Sequence, residues 1–276
     1  CTYCIVPYTR GKERSRLPEN IIKEVEQLVN EGYLEVTLLG QNVNAYGKDF
    51  IDRNYTFGNL LEDLAKTNIK RIRYTTSHPR DLDDYTMEVM GKYKNIMPHL
   101  HLPVQSGSNE ILKRMNRKYT REVYLEKINK LKQYVPSLSL TTDIIVGFPG
   151  ETEEDFNDTL KLVEEANFEG AYTFIYSPRK GTIAANMKNQ IDPKVKKERV
   201  QELMNLSRKL QGAYIEKYLN KEVSVIFETI DQDGYIYGHS SNYIKVKAKG
   251  TKEDINQIKN VLITSFLDGQ ANGYIV

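Results

Sequence analysis

Between residues 19 and 210, segments of helical period alternate with short apolar runs, and this alternation restricts the fold more than any other feature. Pro18 precedes Ile21, Ile22, Val25, Leu28 and Val29 at helical spacing, and Gly32 supplies the stop. Residues 34–39 then read as a strand. The order repeats: helix 57–65 and strand 69–75; a helix ending over 87–93 and strand 99–104; helix 121–134 and strand 138–146. A last repeat opens at Thr152, where Asp155 three residues on completes a capping box, and ends in strand 171–176. A basic helix follows from about residue 194. Five strands, each entered from a helix, predict a parallel α/β sheet or barrel with helices over its faces. An eight-stranded barrel would need more chain.

The polar stretches of this region fall at the carboxyl ends of the strands. They are 40–47, Ser77-His78-Pro79, Gln105-Ser106-Gly107-Ser108, Gly147-Phe148-Pro149-Gly150-Glu151 and Ser177-Pro178-Arg179. Parallel α/β folds place their chemistry on that rim, because the strands fix it and the loops vary it. The pattern points to an enzyme.

Near residue 212 the grammar changes. Short β-rich runs at 223–227, 235–238, 243–246, 261–266 and 273–276, with an Asp233-Gly234 turn signal, predict a small all-β barrel, a common nucleic-acid platform. From residue 213 on there are seven Lys/Arg against eight Asp/Glu, so this part has no electrostatic signature for RNA. Formal net charge of the whole chain is only +2, yet 1–18 and 110–132 are locally basic, either as phosphate-tracking patches or as solvated faces. No apolar run approaches the roughly 20 residues of a membrane span, and the first residues do not read as a secretory leader.

Only two cysteines occur, as Cys1-Thr2-Tyr3-Cys4 ahead of Ile5-Val6-Pro7-Tyr8-Thr9-Arg10-Gly11. This excludes a disulfide framework and fits a reducing cytoplasmic compartment. A two-residue gap can bring two thiolates onto one soft metal centre, although two do not complete a four-coordinate site. The chain reads as starting inside its metal loop.

Together these residues resemble the radical S-adenosylmethionine methylthiotransferases. The similarity is carried by Cys1-Thr2-Tyr3-Cys4 through Arg16, the 39–47 stretch Leu-Gly-Gln-Asn-Val-Asn-Ala-Tyr-Gly, Thr75–Pro79, His101–Ser108 and Asp143–Glu151. It implies a partial parallel (β/α) barrel of the radical SAM type over 1–211 and a small C-terminal all-β, TRAM-like RNA-binding barrel over 212–276. It also implies a [4Fe–4S] cluster held by Cys1 and Cys4 as catalytic metal ligands, with the third cysteine three positions upstream of Cys1. A first barrel strand, and a domain with a second [4Fe–4S] cluster, are expected before that.

The implied reaction adds a methylthio group to C2 of N6-isopentenyladenosine at position 37 of tRNA, using two molecules of S-adenosylmethionine. An electron donor such as flavodoxin or ferredoxin and a sulfur donor are the expected partners of a monomeric enzyme. Threonylcarbamoyladenosine tRNA, a ribosomal protein aspartate, or a non-catalytic RNA-binding role stay open, although the 40–47 loop favours the isopentenyl branch. Gln105, Ser106, Ser108, Gly147, Glu151 and Tyr176 are the expected cofactor contacts. Arg10, Asn42, Asn44 and Arg179 are the expected substrate contacts. Tyr235, Tyr237 and Tyr243 can stack on bases or pack the barrel. His78 and His101 are expected as hydrogen-bonded structural residues, since radical chemistry at a C–H bond needs no histidine base.

Overall fold

A computed structural model describes residues 1–267 and 269–276. After a short helix α1 (Val6–Arg10), the chain runs through α2 (Pro18–Asn30), β1 (Glu35–Leu38), α3 (Phe57–Ala65), β2 (Arg71–Tyr74), α4 (Asp84–Lys92) and β3 (His99–His101). It continues through α5 (Asn109–Arg114), α6 (Arg121–Tyr134), β4 (Ser139–Val146), α7 (Glu153–Ala166), β5 (Gly170–Ile175) and α8 (Pro193–Glu216). Thr56, Asp83, Thr120 and Thr152 open α3, α4, α6 and α7, their side chains satisfying first-turn N–H groups.

The five strands are parallel. β1 pairs with β2 in one sheet and β3 with β4 and β4 with β5 in another, and an isolated parallel bridge between Ile72 and Ile96, ahead of β3, links the two. Its core buries Leu61, Leu64, Ile72, Leu100, Ile144 and Phe156 between strands and helices. Burial is uneven: β2 and most of β4 are buried, whereas most of β5 is half-exposed or exposed.

β6 (Glu222–Ile230), β7 (Tyr235–Ser240), β8 (Lys245–Lys249), β9 (Ile258–Leu267) and β10 (Gln270–Ile275) close into a barrel in the order β10-β8-β7-β6-β9. Val225, Phe227, Ile236, Val246, Val261 and Ile263 fill it, joined by Tyr214 and Ile215 from the end of α8. The strand expected at 243–246 lies later. Tyr243 sits in a turn at φ +70°, and the following strand alternates exposed or half-exposed lysines with buried Val246 and Ala248.

Much of the basic stretch 110–132 is engaged within the protein, while Lys113 and Lys118 are exposed. Arg117 is buried, Arg121 pairs with Glu165, Lys130 with Asp84, and Lys127 and Lys132 donate to the carbonyls of Leu82 and Ala166. Among the described residues no helix is long and apolar enough to cross a membrane.

Candidate functional site

Cys1 to Cys4 form a turn closed by the Cys4 amide on the Cys1 carbonyl at 3.3 Å. The end of α5 and the segments after β4 and β5 hold it. Thr2 donates its amide to Met115 O and its hydroxyl to Arg114 O, both after β3. Its carbonyl accepts from Ala184 after β5. The Tyr3 ring meets Phe148, after β4, edge-on at 6.2 Å, and Phe148 meets Tyr176 at 5.2 Å. Burial pushes the Tyr3 phenol up to about 12, so it stays neutral.

Both thiols are free, Cys1 exposed and Cys4 half-buried. The Arg117 guanidinium donates from Nη1 to Cys1 Sγ at 3.3 Å and from Nη2 to Pro103 O at 2.9 Å. Two thiols beside a fixed cation suit a soft iron–sulfur centre as part of its ligand set. Among the described residues no group of three or more metal-binding side chains completes that set.

The expected cofactor residues divide into two kinds. Gln105, at φ +75° and buried, follows β3 with a carboxamide that makes no hydrogen bond among the described residues. Ser106 and Ser108 turn away from the rim. Ser106 Oγ meets Thr159 Oγ1, and Ser108 Oγ donates to Asp155 while accepting from the Ile111 amide. Their hydroxyls are engaged by α7 and α5.

Between them Gly107 is forced: a Cβ there would lie 2.5 Å from Asp158 O and Thr159 Cα. Glu151 braces the turn after β4. Its carboxylate accepts from the Gly147 amide and from Arg199, both at 2.8 Å. Lys196 lies against Gly147 and donates to Tyr176 O at 3.2 Å. Helix α8 thus supports the loops after β4 and β5 from behind. The Tyr176 hydroxyl is buried with no partner, an orphan that a bound group would satisfy.

On the β1 side, Asn44 donates to His78 O and accepts from the His78 amide. It thereby clamps two loops, with one amide N–H and one oxygen lone pair left over. Asn42 donates to Asp81 and keeps Oδ1 buried without a partner. Burial raises the Asp81 carboxyl, but hydrogen bonds from Arg80, Lys48 and Asn42 outweigh this and hold it well below the usual range. Burial, with Arg117 and Arg80 nearby, pushes His78 down to about 3, leaving a neutral ring. Arg10 and Arg179 are exposed.

Inside the strand wall lies a cavity of about 360 Å³, lined by Arg73, His101, Asp143, Tyr172 and Tyr243 among others. His101 bonds Thr141 Oγ1 through Nδ1 at 3.0 Å, with Asp143 Oδ1 3.5 Å from Nε2. Tyr243 comes from the C-terminal barrel and stacks between His99 and His239, each at 4.6 Å, beneath the Arg73 guanidinium. Arg71 and Arg73 donate to carbonyls of Ser224, His239, Ser240 and Ser241, fastening the barrel to β2. Tyr235 and Tyr237 lie under Lys247, and Lys249 also sits over Tyr235.

Arg117, Lys196, Arg199 and the β2 arginines escaped the sequence reading. Their only local sign was an ionisable residue inside an otherwise ordinary helix, loop or strand.

Residues 1–163 match the family model of the radical SAM superfamily. The chain is 54% identical over 279 residues to the tRNA-2-methylthio-N(6)-dimethylallyladenosine synthase of Bacillus subtilis (strain 168), covering 99% of this chain and 55% of that protein. It is 54% identical over 278 residues to the protein of that name from Oceanobacillus iheyensis, covering 100% and 54%. It therefore spans about half the length of the curated relatives it matches. Among solved structures, a radical S-adenosylmethionine methyltransferase from Kitasatospora setae superposes with TM-score 0.55 at 15% identity, over 67% of this chain and 36% of that one. Coproporphyrinogen III oxidase from Escherichia coli gives 0.50 at 20%, over 70% and 46%. These two likenesses bear on the fold alone.

Proposed function

The chain belongs to the radical S-adenosylmethionine superfamily, and from that premise we propose that it is the catalytic and RNA-binding part of a tRNA methylthiotransferase. In this reading, C2–H of N6-isopentenyladenosine at position 37 becomes C2–S–CH₃. One S-adenosylmethionine gives the methyl group, another provides the radical, and a separate donor gives the sulfur. The observation that carries the proposal is the Cys1–Cys4 turn seated on the end of α5 and the segments after β4 and β5, in a chain 54% identical to a protein named for this product.

Cys1 and Cys4 would hold a [4Fe–4S] cluster together with a third cysteine from upstream. Bound there, the cluster supplies the electron that lets S-adenosylmethionine activate an unreactive C–H bond. The protein's share is placement. Arg117 fixes Cys1, the Gln105 carboxamide and the Tyr176 hydroxyl offer unpaired polar groups to the cofactor, and Glu151 with Arg199 holds the Gly147 turn. Arg10, Asn42 and Arg179 line the approach of the substrate. Asp143 and His101 face the interior cavity, where a carboxylate and a ring nitrogen can pair with a purine edge.

The reading assigns 1–211 to the radical core and 212–276 to an RNA-gripping module. It places a second [4Fe–4S] cluster in a preceding domain, and sets the protein in the cytoplasm as a monomer served by flavodoxin or ferredoxin.

The test is anaerobic reconstitution of the full-length protein with iron and sulfide, then incubation with reductant, S-adenosylmethionine and isopentenylated tRNA. Nucleoside mass spectrometry should find the 2-methylthio product, and Cys4→Ala should abolish it. Intact clusters that modify only threonylcarbamoyladenosine tRNA or a ribosomal protein would keep the chemistry and overturn the substrate.

A further inference from the structure

A second, larger hollow of about 800 Å³ lies between the segment after Cys4 and the loop after β1. Arg10, Lys12, Arg14, Arg16 and Lys48 line it against only Glu13 and Asp49. Arg16 is paired with Glu24 and Lys48 with Asp81. Arg10, Lys12 and Arg14 are exposed and make no ion pair or hydrogen bond among the described residues. Asn42, whose Oδ1 is buried and unpartnered, stands on the opposite wall. Leu39, 75% exposed, lines both this groove and the interior cavity, so the two hollows meet at its side chain.

We propose that this groove holds the phosphodiester backbone of the single-stranded RNA around the target nucleotide, with one base passing over Leu39 into the interior cavity. The inference rests on the substrate reading above and adds the strand's path and the residues that grip it. Three unpaired cations facing one groove are the feature a polyanion satisfies, since each phosphate contact releases a counterion. An acidic peptide would meet the cations equally well but would have no use for the neighbouring cavity. That cavity presents the exposed Tyr172 ring beside polar Asp143 and His101, the combination that stacks a base and reads its edge, while Tyr243 is held between two histidines as part of the wall. The groove also begins on the segment that follows Cys4, so a strand lying in it passes beside the thiol turn.

The experiment measures binding of an anticodon stem-loop RNA carrying N6-isopentenyladenosine to the full-length protein across a salt series. For Lys12→Ala/Arg14→Ala, the slope of log K against log[salt] should shrink by about 1.4, at about 0.7 per single-strand phosphate contact. Affinity near about 0.1 M salt should fall tenfold or more. Lys12→Gln alone should take about half of the slope change. S-adenosylmethionine binding and the melting temperature should not move, which separates lost contacts from lost folding. Wild-type binding with an unchanged slope and affinity in the double variant would overturn the groove while leaving the substrate standing. Absence of stem-loop binding by the wild-type protein would overturn the substrate reading, and the groove with it.

Discussion

The Arg117 guanidinium spans from the Cys1 sulfur, 3.3 Å from Nη1, to the Pro103 carbonyl, 2.9 Å from Nη2. One cation therefore ties the thiol turn to the end of the β3 segment. It is buried and stands beside the Tyr119 ring, so its position is set by packing as well as by hydrogen bonds.

Donors to cluster sulfurs raise a cluster's reduction potential by stabilising added negative charge. Arg117→Met should therefore shift the potential of the reconstituted full-length protein downward, read by titration of the reduced cluster's spectroscopic signal. It should also cost about 1–3 kcal/mol in unfolding free energy, because Pro103 O loses a buried donor. Arg117→Lys should restore part of the potential. An unchanged potential in Arg117→Met would mean that the contact to Cys1 does not survive cluster binding.

Arg199 and Glu151 are both buried and meet at 2.8 Å. Removing one partner strands a charge in low dielectric, at a typical cost of about 3–5 kcal/mol. Arg199→Met should approach that cost in denaturant unfolding, while Arg199→Met/Glu151→Leu should regain most of it. The double variant should still weaken S-adenosylmethionine binding, because the Gly147 amide has then lost the carboxylate that orients its turn. Equal stability losses in single and double variants would count against a coupled pair.

Gly107→Ala tests the close approach of the 105–108 loop to α7. The new methyl group would sit 2.5 Å from backbone atoms of Asp158 and Thr159, which cannot step aside as a flexible side chain can. Overpacking of this kind costs about 1–3 kcal/mol. The melting temperature should fall, and the hydroxyl contacts of Ser106 and Ser108 to α7 should loosen with it. An unaltered melting temperature would mean that the loop and helix separate more easily than their contacts imply.

These cases show what the sequence made legible. The five parallel strands were readable from short runs of apolar and β-branched residues between helices, clearest in Ile144 to Val146, although β2 carries Arg71 and Arg73 and most of β5 is half-exposed or exposed. The closing barrel was readable from its turns and β-branched runs. Its third strand was misplaced because Lys245, Lys247 and Lys249 hide the buried Val246 and Ala248 between them. Cys1 and Cys4 announced themselves as a local motif. Arg117 and Arg199 did not, because each acts on a loop far away in the chain, Arg199 reaching Glu151 across 48 positions. Ser106, Ser108 and Asn44, which here bond to neighbouring segments, show a related ambiguity. A small polar residue beside a strand end suits a ligand and a neighbouring loop equally well, and only the third dimension shows which one it meets.

Glu169 gives the protein a pH dependence of unusual sign. The side chain is buried against Ser139, with Arg73, Tyr172 and Tyr214 as the other ionisable groups that sense it. Burial pushes its carboxyl up to about 8, and Arg73 only partly opposes this. The unfolded chain releases this proton near 4.5, so between 4.5 and 8 the folded state holds one proton more. Its contribution is therefore fully present below pH 4.5 and is lost as pH rises through 8. Below 6.5 a second effect enters with the opposite sign. His78 and His99, both pushed down to about 3 by burial, stay neutral in the fold while the unfolded chain protonates them. Stability should therefore fall on both sides of about pH 6.5. Glu169→Gln keeps a group that accepts the Ser139 hydroxyl but cannot ionise. Unfolding free energies measured from pH 5 to 9 should show the alkaline decline removed in this variant and the acid decline kept. A variant that still loses stability between pH 6.5 and 8 would place the responsible proton on another group.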